Sequence, residues 1–160
     1  QALLAMDRAW GLWNNNKLNV FCNEWGDIVT CNRQGMVTSL YVYSESANVL
    51  ESRVVPAAIT ALSALQKLDL GNTGLTGSME LLGHLPNLQY VDLSFTGFNG
   101  SIPESISNAT SLTYLDLSGV AVSGSLPCSI SRLTALQTLN VGMPQFHVDI
   151  YLPSLGDDPT

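Results

Sequence analysis

The chain has 160 residues, of which 46% are hydrophobic and only 12% charged, and its net charge is −7. This length suits a single domain with a real core, and a surface with so few charges must rely largely on Ser, Thr, Asn and Gly. The acidic balance excludes nucleic acid as a partner, because a phosphate backbone would be repelled and no basic cluster reverses that repulsion locally. No run of about 18 apolar residues exists, so the sequence contains no membrane-spanning segment.

Residues 1–36 are predicted to form an N-terminal cap. The sequence opens at Gln1 without a basic region, so we interpret it as a mature form from which a signal peptide has been removed. Four apolar residues at helical spacing predict a helix with one apolar face: Leu3, Met6, Trp10 and Trp13. We expect this helix to cover the first coil of the repeat array that follows.

A repeat of about two dozen residues dominates the rest of the sequence. Segments 65–70, 88–93, 112–117 and 136–141 align at offsets of 23, 24 and 24 residues, and a looser copy of 28 residues begins at Val37. Leu-x-Leu alternation predicts a short strand with alternate side chains inward, and such coils bury their apolar faces only by stacking. Residues 37–142 are therefore predicted to form about four and a half coils of a right-handed α/β repeat solenoid. Its concave side should be a parallel sheet and its convex side irregular or rich in 3₁₀ helix.

Glycine and proline mark the same places in successive repeats. Gly77, Gly100 and Gly124 are predicted to let the backbone turn after a second extended stretch. Pro103 and Pro127 then direct the chain into the convex segment.

This pattern, L-x-x-L-x-L-x-x-x-x-L-x-G-x-I-P, resembles the plant-type extracellular leucine-rich repeats of receptor-like proteins, receptor kinases and polygalacturonase inhibitors. The resemblance covers residues 37–155. Plant repeats usually carry Asn where this chain has Thr73, Thr96 and Val120; Thr can hydrogen-bond neighbouring backbone groups there, and Val cannot. The run 72–77 is more similar to the repeats of protist surface antigens, notably trypanosomatid promastigote surface antigens. The resemblance implies a leucine-rich-repeat protein that is secreted or displayed at the cell surface.

The resemblance also implies a disulfide in the cap. Cys22, Trp25 and Cys31 follow the family's C-x-x-W-x-x-x-x-x-C arrangement, with a slightly longer gap than plant caps have. A Cys22–Cys31 bond would contribute about 2–3 kcal/mol to stability; the alternative is a pair of buried thiols in a cytosolic protein. Glycosylation sequons at Asn99 and Asn108 fit a secreted glycoprotein, and Asn108, on the convex segment, is the preferred acceptor.

Cys128 is the third cysteine of the chain. It lies about four coils from the cap, roughly 19 Å along the stack at the strand spacing, which is too far for a disulfide with the cap pair. We interpret it as either an intersubunit disulfide or a free thiol.

The concave face is the candidate ligand-binding surface. The candidate binding residues are those predicted to point outward from the strands: Tyr41, Lys67, Asp69, Tyr90, Asp92, Tyr114 and Asp116. Three carboxylates one strand spacing apart repel each other unless cations, hydroxyls or a partner intervene. With tyrosines beside them they suit a basic peptide, a cation or a sugar. The alternative is that Leu-Asp-Leu-Ser is the ordinary consensus of this repeat. We do not interpret the row as a catalytic carboxylate pair, because we expect its members to be solvated on a flat sheet with nothing that raises a pKa.

Residues 143–160 are predicted to be a degenerate last repeat and a C-terminal tail. Apolar residues alternate there as in a strand. One interpretation is a simple cap, and another is that the chain continues beyond Thr160. In a third, the end coil docks on a second subunit and builds a filament; its contact residues would be Cys128, Phe146, Val148, Ile150 and Tyr151.

The sequence carries no pattern for catalysis. His84 and His147 lie some three coils apart without a supported nucleophile, and neither zinc spacing nor a phosphate loop is present. We therefore predict no enzyme activity, no catalytic residues, no metal and no cofactor. The predicted function is an extracellular protein or glycan interaction surface; the alternative is a self-assembling subunit that stacks end to end with copies of itself.

Overall fold

A computed structural model of the chain describes residues 28–42 and 53–142. In these ranges the strands are β1 (Val29–Cys31), β2 (Val37–Tyr41), β3 (Lys67–Asp69), β4 (Thr76–Ser78), β5 (Tyr90–Asp92), β6 (Gly97–Gly100), β7 (Tyr114–Asp116), β8 (Ala121–Val122) and β9 (Thr138–Asn140). The 3₁₀ helices are η1 (Ala57–Ala61), η2 (Met79–His84), η3 (Glu104–Asn108) and η4 (Cys128–Arg132). The predicted helical cap with Cys22, and the predicted tail with Phe146, Val148, Ile150 and Tyr151, lie outside the described residues.

The main sheet has the strand order β1-β2-β3-β5-β7-β9, and every pair from β2 onwards is parallel. Successive coils are in exact register, so that Leu40, Leu68, Val91, Leu115 and Leu139 lie beside one another. All five are buried. The predicted solenoid, with a parallel concave sheet and inward-facing leucines, is confirmed.

The first strand of the sheet runs against the others. β1 pairs with β2 in an antiparallel hairpin, with Val29 opposite Leu40. The Asn32 side-chain oxygen fixes the connecting turn, since it accepts hydrogen bonds from the backbone N–H groups of Gln34 and Met36, both at 3.0 Å. Sequence reasoning assigned this stretch to the cap without a strand. The hairpin covers the edge of β2, which would otherwise expose unpaired backbone groups.

A second sheet forms on the far side of each coil. β4, β6 and β8 pair in parallel, so the second extended stretch predicted from the sequence is itself hydrogen-bonded from coil to coil. Three of the four 3₁₀ helices begin directly after a proline, namely Pro56, Pro103 and Pro127. Proline fixes φ near the value that the entry to such a helix requires. The predicted 3₁₀-rich convex side is confirmed.

Buried threonines stabilise the loop between the two sheets. The Thr73 and Thr96 hydroxyls donate to the carbonyl oxygens of Leu70 and Leu93, each at 2.6 Å. Val120 occupies the equivalent place in the next coil and is also buried. The threonine side chain therefore satisfies a carbonyl within its own coil, as its hydrogen-bonding capacity predicted. The Val120 side chain contributes packing alone, and its backbone N–H donates to the equivalent Leu117 carbonyl at 3.1 Å.

The repeat glycines Gly77, Gly100 and Gly124 have different structural roles. Gly100 and Gly124 adopt φ values of +102° and +75°, which glycine reaches without the steric cost that a Cβ imposes. Gly77 has no such φ. A Cβ on it would lie 2.7 Å from Cζ of Phe98, whose ring is buried in the next coil. Gly77 therefore provides space for an aromatic ring and not, as the sequence suggested, a turn.

Gly77→Ala is expected to lower the free energy of unfolding by about 1–3 kcal/mol, because the added methyl group overpacks the Phe98 ring. In a Phe98→Leu background, which removes the ring, the same substitution should cost much less. Urea denaturation of the two single variants and the double variant measures this coupling. An equal cost of Gly77→Ala in both backgrounds would show that the ring is not what requires glycine.

Candidate functional site on the concave face

Two columns of side chains cover the outer surface of the main sheet, which we call the concave face. One column consists of Ser39, Lys67, Tyr90, Tyr114 and Thr138, and the other of Tyr41, Asp69, Asp92, Asp116 and Asn140. The structure therefore brings all seven candidate ligand-binding residues together on adjacent strands. Their alignment follows from the register alone, because each has an equivalent directly beside it in the next coil.

An aromatic stack lies at the centre of this face. The rings of Tyr90 and Tyr114 are nearly parallel, with centroids 4.5 Å apart and an interplanar angle of 5°. The Lys67 ammonium lies 4.7 Å from the Tyr90 centroid and 6.0 Å from that of Tyr41. Its Nζ is also 3.8 Å from Oδ2 of Asp69. A cation, two stacked rings and a carboxylate thus fix one another's orientation at the surface.

Asp116 is the most enclosed of the three carboxylates, with 9% of its surface exposed. Its Oδ2 accepts hydrogen bonds from the Tyr114 hydroxyl and the Asn140 amide, each at 3.0 Å, and its Oδ1 accepts one from the Ser118 N–H at 2.8 Å. Burial alone would raise the pKa of Asp116, but these donors outweigh it and hold that pKa below its ordinary value. The expectation of solvated carboxylates is wrong for this residue, because side chains from two coils enclose it.

The pKa of Asp69 is shifted in the opposite direction, above its ordinary value. Burial raises its pKa, the neighbouring charge of Asp92 raises it further, and Lys67 offsets only part of the effect. The expectation that nothing in the column raises a pKa is therefore wrong for Asp69. Burial also raises the pKa of Tyr114, together with its hydrogen bond to Asp116 and that residue's negative charge. The phenol is protonated at neutral pH even at its ordinary pKa of 10.0, and the raised pKa extends its role as a hydrogen-bond donor to more alkaline pH.

Asp92 lies between the other two carboxylates and is held by a backbone N–H group. Its Oδ1 accepts a hydrogen bond from the Ser94 N–H at 2.8 Å. Across residues 28–42 and 53–142, no side chain donates to Asp92 and no cation pairs with it. Gly71 of the preceding coil gives this carboxylate room, since a Cβ there would lie 2.9 Å from Oδ1.

The other predicted sites lie away from the concave face. Asn99 lies in β6 and Asn108 at the end of η3, and both are exposed. Cys128 begins η4 as an exposed free thiol. Cys31 is disulfide-bonded, but Cys22 lies outside the described residues, so their pairing stays a prediction. So do the glycosylation of the two asparagines and the intersubunit role of Cys128.

Sequence reasoning missed Phe95, which follows β5 at the rim of the concave face. Its side chain is exposed, and its φ is +52°. Asn72 and Gly119 occupy the equivalent places in the adjacent coils with φ of 58° and 71°; both residue types tolerate this left-handed conformation, whereas a bulky aromatic residue does so at a cost. The available signal was the repeat alignment, in which one coil has Phe where its neighbours have Asn and Gly.

Neither a metal cluster nor a membrane span is found in the described part of the chain. No group of three His, Cys, Asp or Glu residues within it is arranged to hold a metal ion. No helix within it has the length and apolar character needed to cross a bilayer.

Comparison with known proteins supports the repeat assignment. The family model named Leucine Rich Repeat matches residues 87–109 and 111–133, which are the two coils that begin with β5 and β7. The chain carries leucine-rich repeats. No curated protein matches the sequence.

Several solved plant structures share this fold. The structure of PEPR1-AtPEP1 superposes with a TM-score of 0.72 at 27% identity over 88% of this chain, which spans only 20% of that protein. The BIR3 - SERK2 complex from Arabidopsis thaliana gives a TM-score of 0.67 at 26% identity, covering 88% of this chain and 78% of the other. A plant ice-binding protein gives a TM-score of 0.68 at 29% identity over 87% of this chain and 46% of its own length. The likeness thus extends to proteins with unlike activities.

The two perturbed aspartates predict opposite responses to acid. The folded-state pKa of Asp116 is lowered, so its contribution to stability is present above the ordinary value of 3.8 and is lost as the pH falls through and below it. The folded-state pKa of Asp69 is raised, so the penalty of its charge disappears as the pH falls through that raised value.

Asp116→Asn should therefore cost about 2 kcal/mol of unfolding free energy at neutral pH and progressively less as the pH falls. Relative to Asp69→Asn, the wild type should instead gain stability on acidification. Denaturant titrations of the three proteins across the acid range measure both trends. A pH-independent cost of Asp116→Asn would contradict the hydrogen-bonding assignment.

Proposed function

We propose that the chain is an extracellular leucine-rich-repeat interaction module whose concave face binds a peptide or protein partner. The observation that carries this proposal is the Tyr90–Tyr114 stack, held in place by Lys67 and Asp116 on an open sheet. These side chains lie outside the core, so their arrangement is not required to bury the leucines.

The arrangement suits binding for physical reasons. Tyrosine offers a large contact area with few rotatable bonds, so little conformational entropy is lost when a partner is bound. The Tyr114 hydroxyl is already fixed by its hydrogen bond to Asp116 at 3.0 Å, and Lys67 already lies over Tyr90. A surface fixed before binding loses less free energy on association than one that must be ordered by the partner.

The structural comparisons support the same class of function. BIR3 - SERK2 is a complex of two proteins, and another similar structure is described as a receptor-kinase ectodomain, in keeping with an extracellular location. Since the chain spans a fifth of PEPR1, nothing of a whole receptor's activity is transferred to it. A glycan is the other partner class that the tyrosine stack suits, and it is an outcome of the test below.

Panning a random library of short displayed peptides on the native chain tests the proposal. Peptides should be enriched, and Tyr114→Ala should weaken their capture by about tenfold, because an aromatic contact at the centre of the interface is lost. Glu104→Ala, on the exposed convex helix η3, is the matched control and should leave capture unchanged. Circular dichroism checks that both variants are folded.

Capture that survives both Tyr114→Ala and Tyr90→Ala would place the binding surface elsewhere and refute the proposal. Enrichment of no peptide, together with Tyr114-dependent binding on a glycan array, would replace the peptide or protein partner with a sugar.

The second candidate function, end-to-end assembly, depends on Cys128, an exposed free thiol in η4, and on tail residues outside the described ranges. It remains a prediction that size-exclusion chromatography decides. Polymers that disappear when residues 143–160 are deleted would favour it, whereas a monomer at all concentrations would contradict it.

Secretion through a eukaryotic host should add N-linked glycans at the exposed Asn99 and Asn108. Intact mass should fall on enzymatic deglycosylation, and Asn99→Gln and Asn108→Gln should each remove one glycan. Peptide capture should be unaffected, because both residues lie off the concave face. An unmodified secreted chain would contradict the prediction.

A further inference from the structure

Phe95 presents an apolar surface beside the concave sheet. It is 60% exposed and holds a φ of +52°, so the chain accepts an unfavourable backbone conformation for a ring that remains largely outside the core. The ring is nevertheless fixed in position, since it packs against the next coil. A Cβ on Gly119 would lie 2.7 Å from Cδ1 of Phe95, and only glycine leaves that space.

Asp92 lies three residues earlier in the same coil and supplies charge. Lys67 pairs with Asp69, and three different residues donate to Asp116. Within residues 28–42 and 53–142, Asp92 receives only the Ser94 N–H, on Oδ1, so its Oδ2 can accept from a partner. Three carboxylates and one ammonium leave this part of the sheet negative, in a chain whose net charge is −7.

Between Asp92 and Phe95, short side chains leave the surface of the solenoid less raised than it is over the tyrosines. The positions two residues after Asp69, Asp92, Asp116 and Asn140, just past the ends of the strands, carry small residues, namely Gly71, Ser94, Ser118 and Gly142. Ser94 itself is 7% exposed. An extended backbone can therefore approach the sheet here more closely than it can over the tyrosines.

We infer that Asp92 and Phe95 form a two-point docking surface for an extended peptide segment that presents a basic side chain to Asp92 and an apolar side chain to Phe95. Charge complementarity selects the basic residue, and arginine fits better than lysine because its planar guanidinium binds a carboxylate through two hydrogen bonds and also stacks on aromatic rings. The apolar side chain covers the exposed ring. This inference rests on the proposed function and names the chemistry of its partner.

Titration of the ¹⁵N-labelled chain with N-acetyl-arginyl-leucine amide tests the charge. Amide shifts should centre on Asp92 and Phe95. Replacing arginine with citrulline, which has the same shape without the charge, should weaken binding by about fivefold. Asp92→Asn should remove the preference for arginine, whereas Glu104→Gln, which deletes the same charge from the convex side, should keep it. An unchanged preference in Asp92→Asn would overturn the inference.

Phe95→Asn tests the apolar point, because asparagine already occupies the equivalent position at Asn72. This variant should raise the Tm, since it relieves the backbone conformation, and should abolish the advantage of the arginyl-leucine probe over arginyl-glycine. A purely structural role for the ring would instead lower the Tm and leave the leucine preference intact. That combination would overturn the inference.

The two proposals fail in different ways. Enriched library peptides that depend on Tyr114 but carry no basic residue would leave the proposed function standing and refute the docking surface. Peptide capture that does not depend on the tyrosines would refute the proposed function first.

Discussion

The molecule depends on the register in which the strands of successive coils pair. The parallel backbone ladder sets each coil directly beside the next, so every side chain has an equivalent neighbour one strand spacing away. On the inner side this superposes leucines and valines into one continuous core. On the outer side the same ladder forces Asp69, Asp92 and Asp116 into a row, although like charges at that distance repel.

Each of these three carboxylates has a different environment. Lys67 partly offsets the charge of the first carboxylate, and Tyr114 with Asn140 encloses the last. Within the described part of the chain, the middle carboxylate receives only a backbone N–H. The coils therefore have similar inward residues but differ in how their outward residues are bonded. Because the inward residues supply the shared core, the outward residues can differ from one coil to the next.

The repeat made much of this predictable, since alignment of the leucines yields both the strands and the columns of outward residues. The surroundings of each aspartate were not predictable, because they depend on which side chains lie two residues away and one coil away together. The antiparallel β1 was missed since its three residues carry no repeat signal. Gly77 was misread because the Phe98 ring that needs its space belongs to another coil.

The antiparallel hairpin at the start of the sheet has a consequence for how such arrays change in length. β1 occupies the outer edge of β2 in the reverse orientation, so a new parallel coil cannot pair with that edge without displacing the hairpin. Duplication of a unit leaves this hairpin intact when the new coil is added downstream of β2. Families of such proteins would accordingly be expected to share their beginnings and to differ in how far they extend.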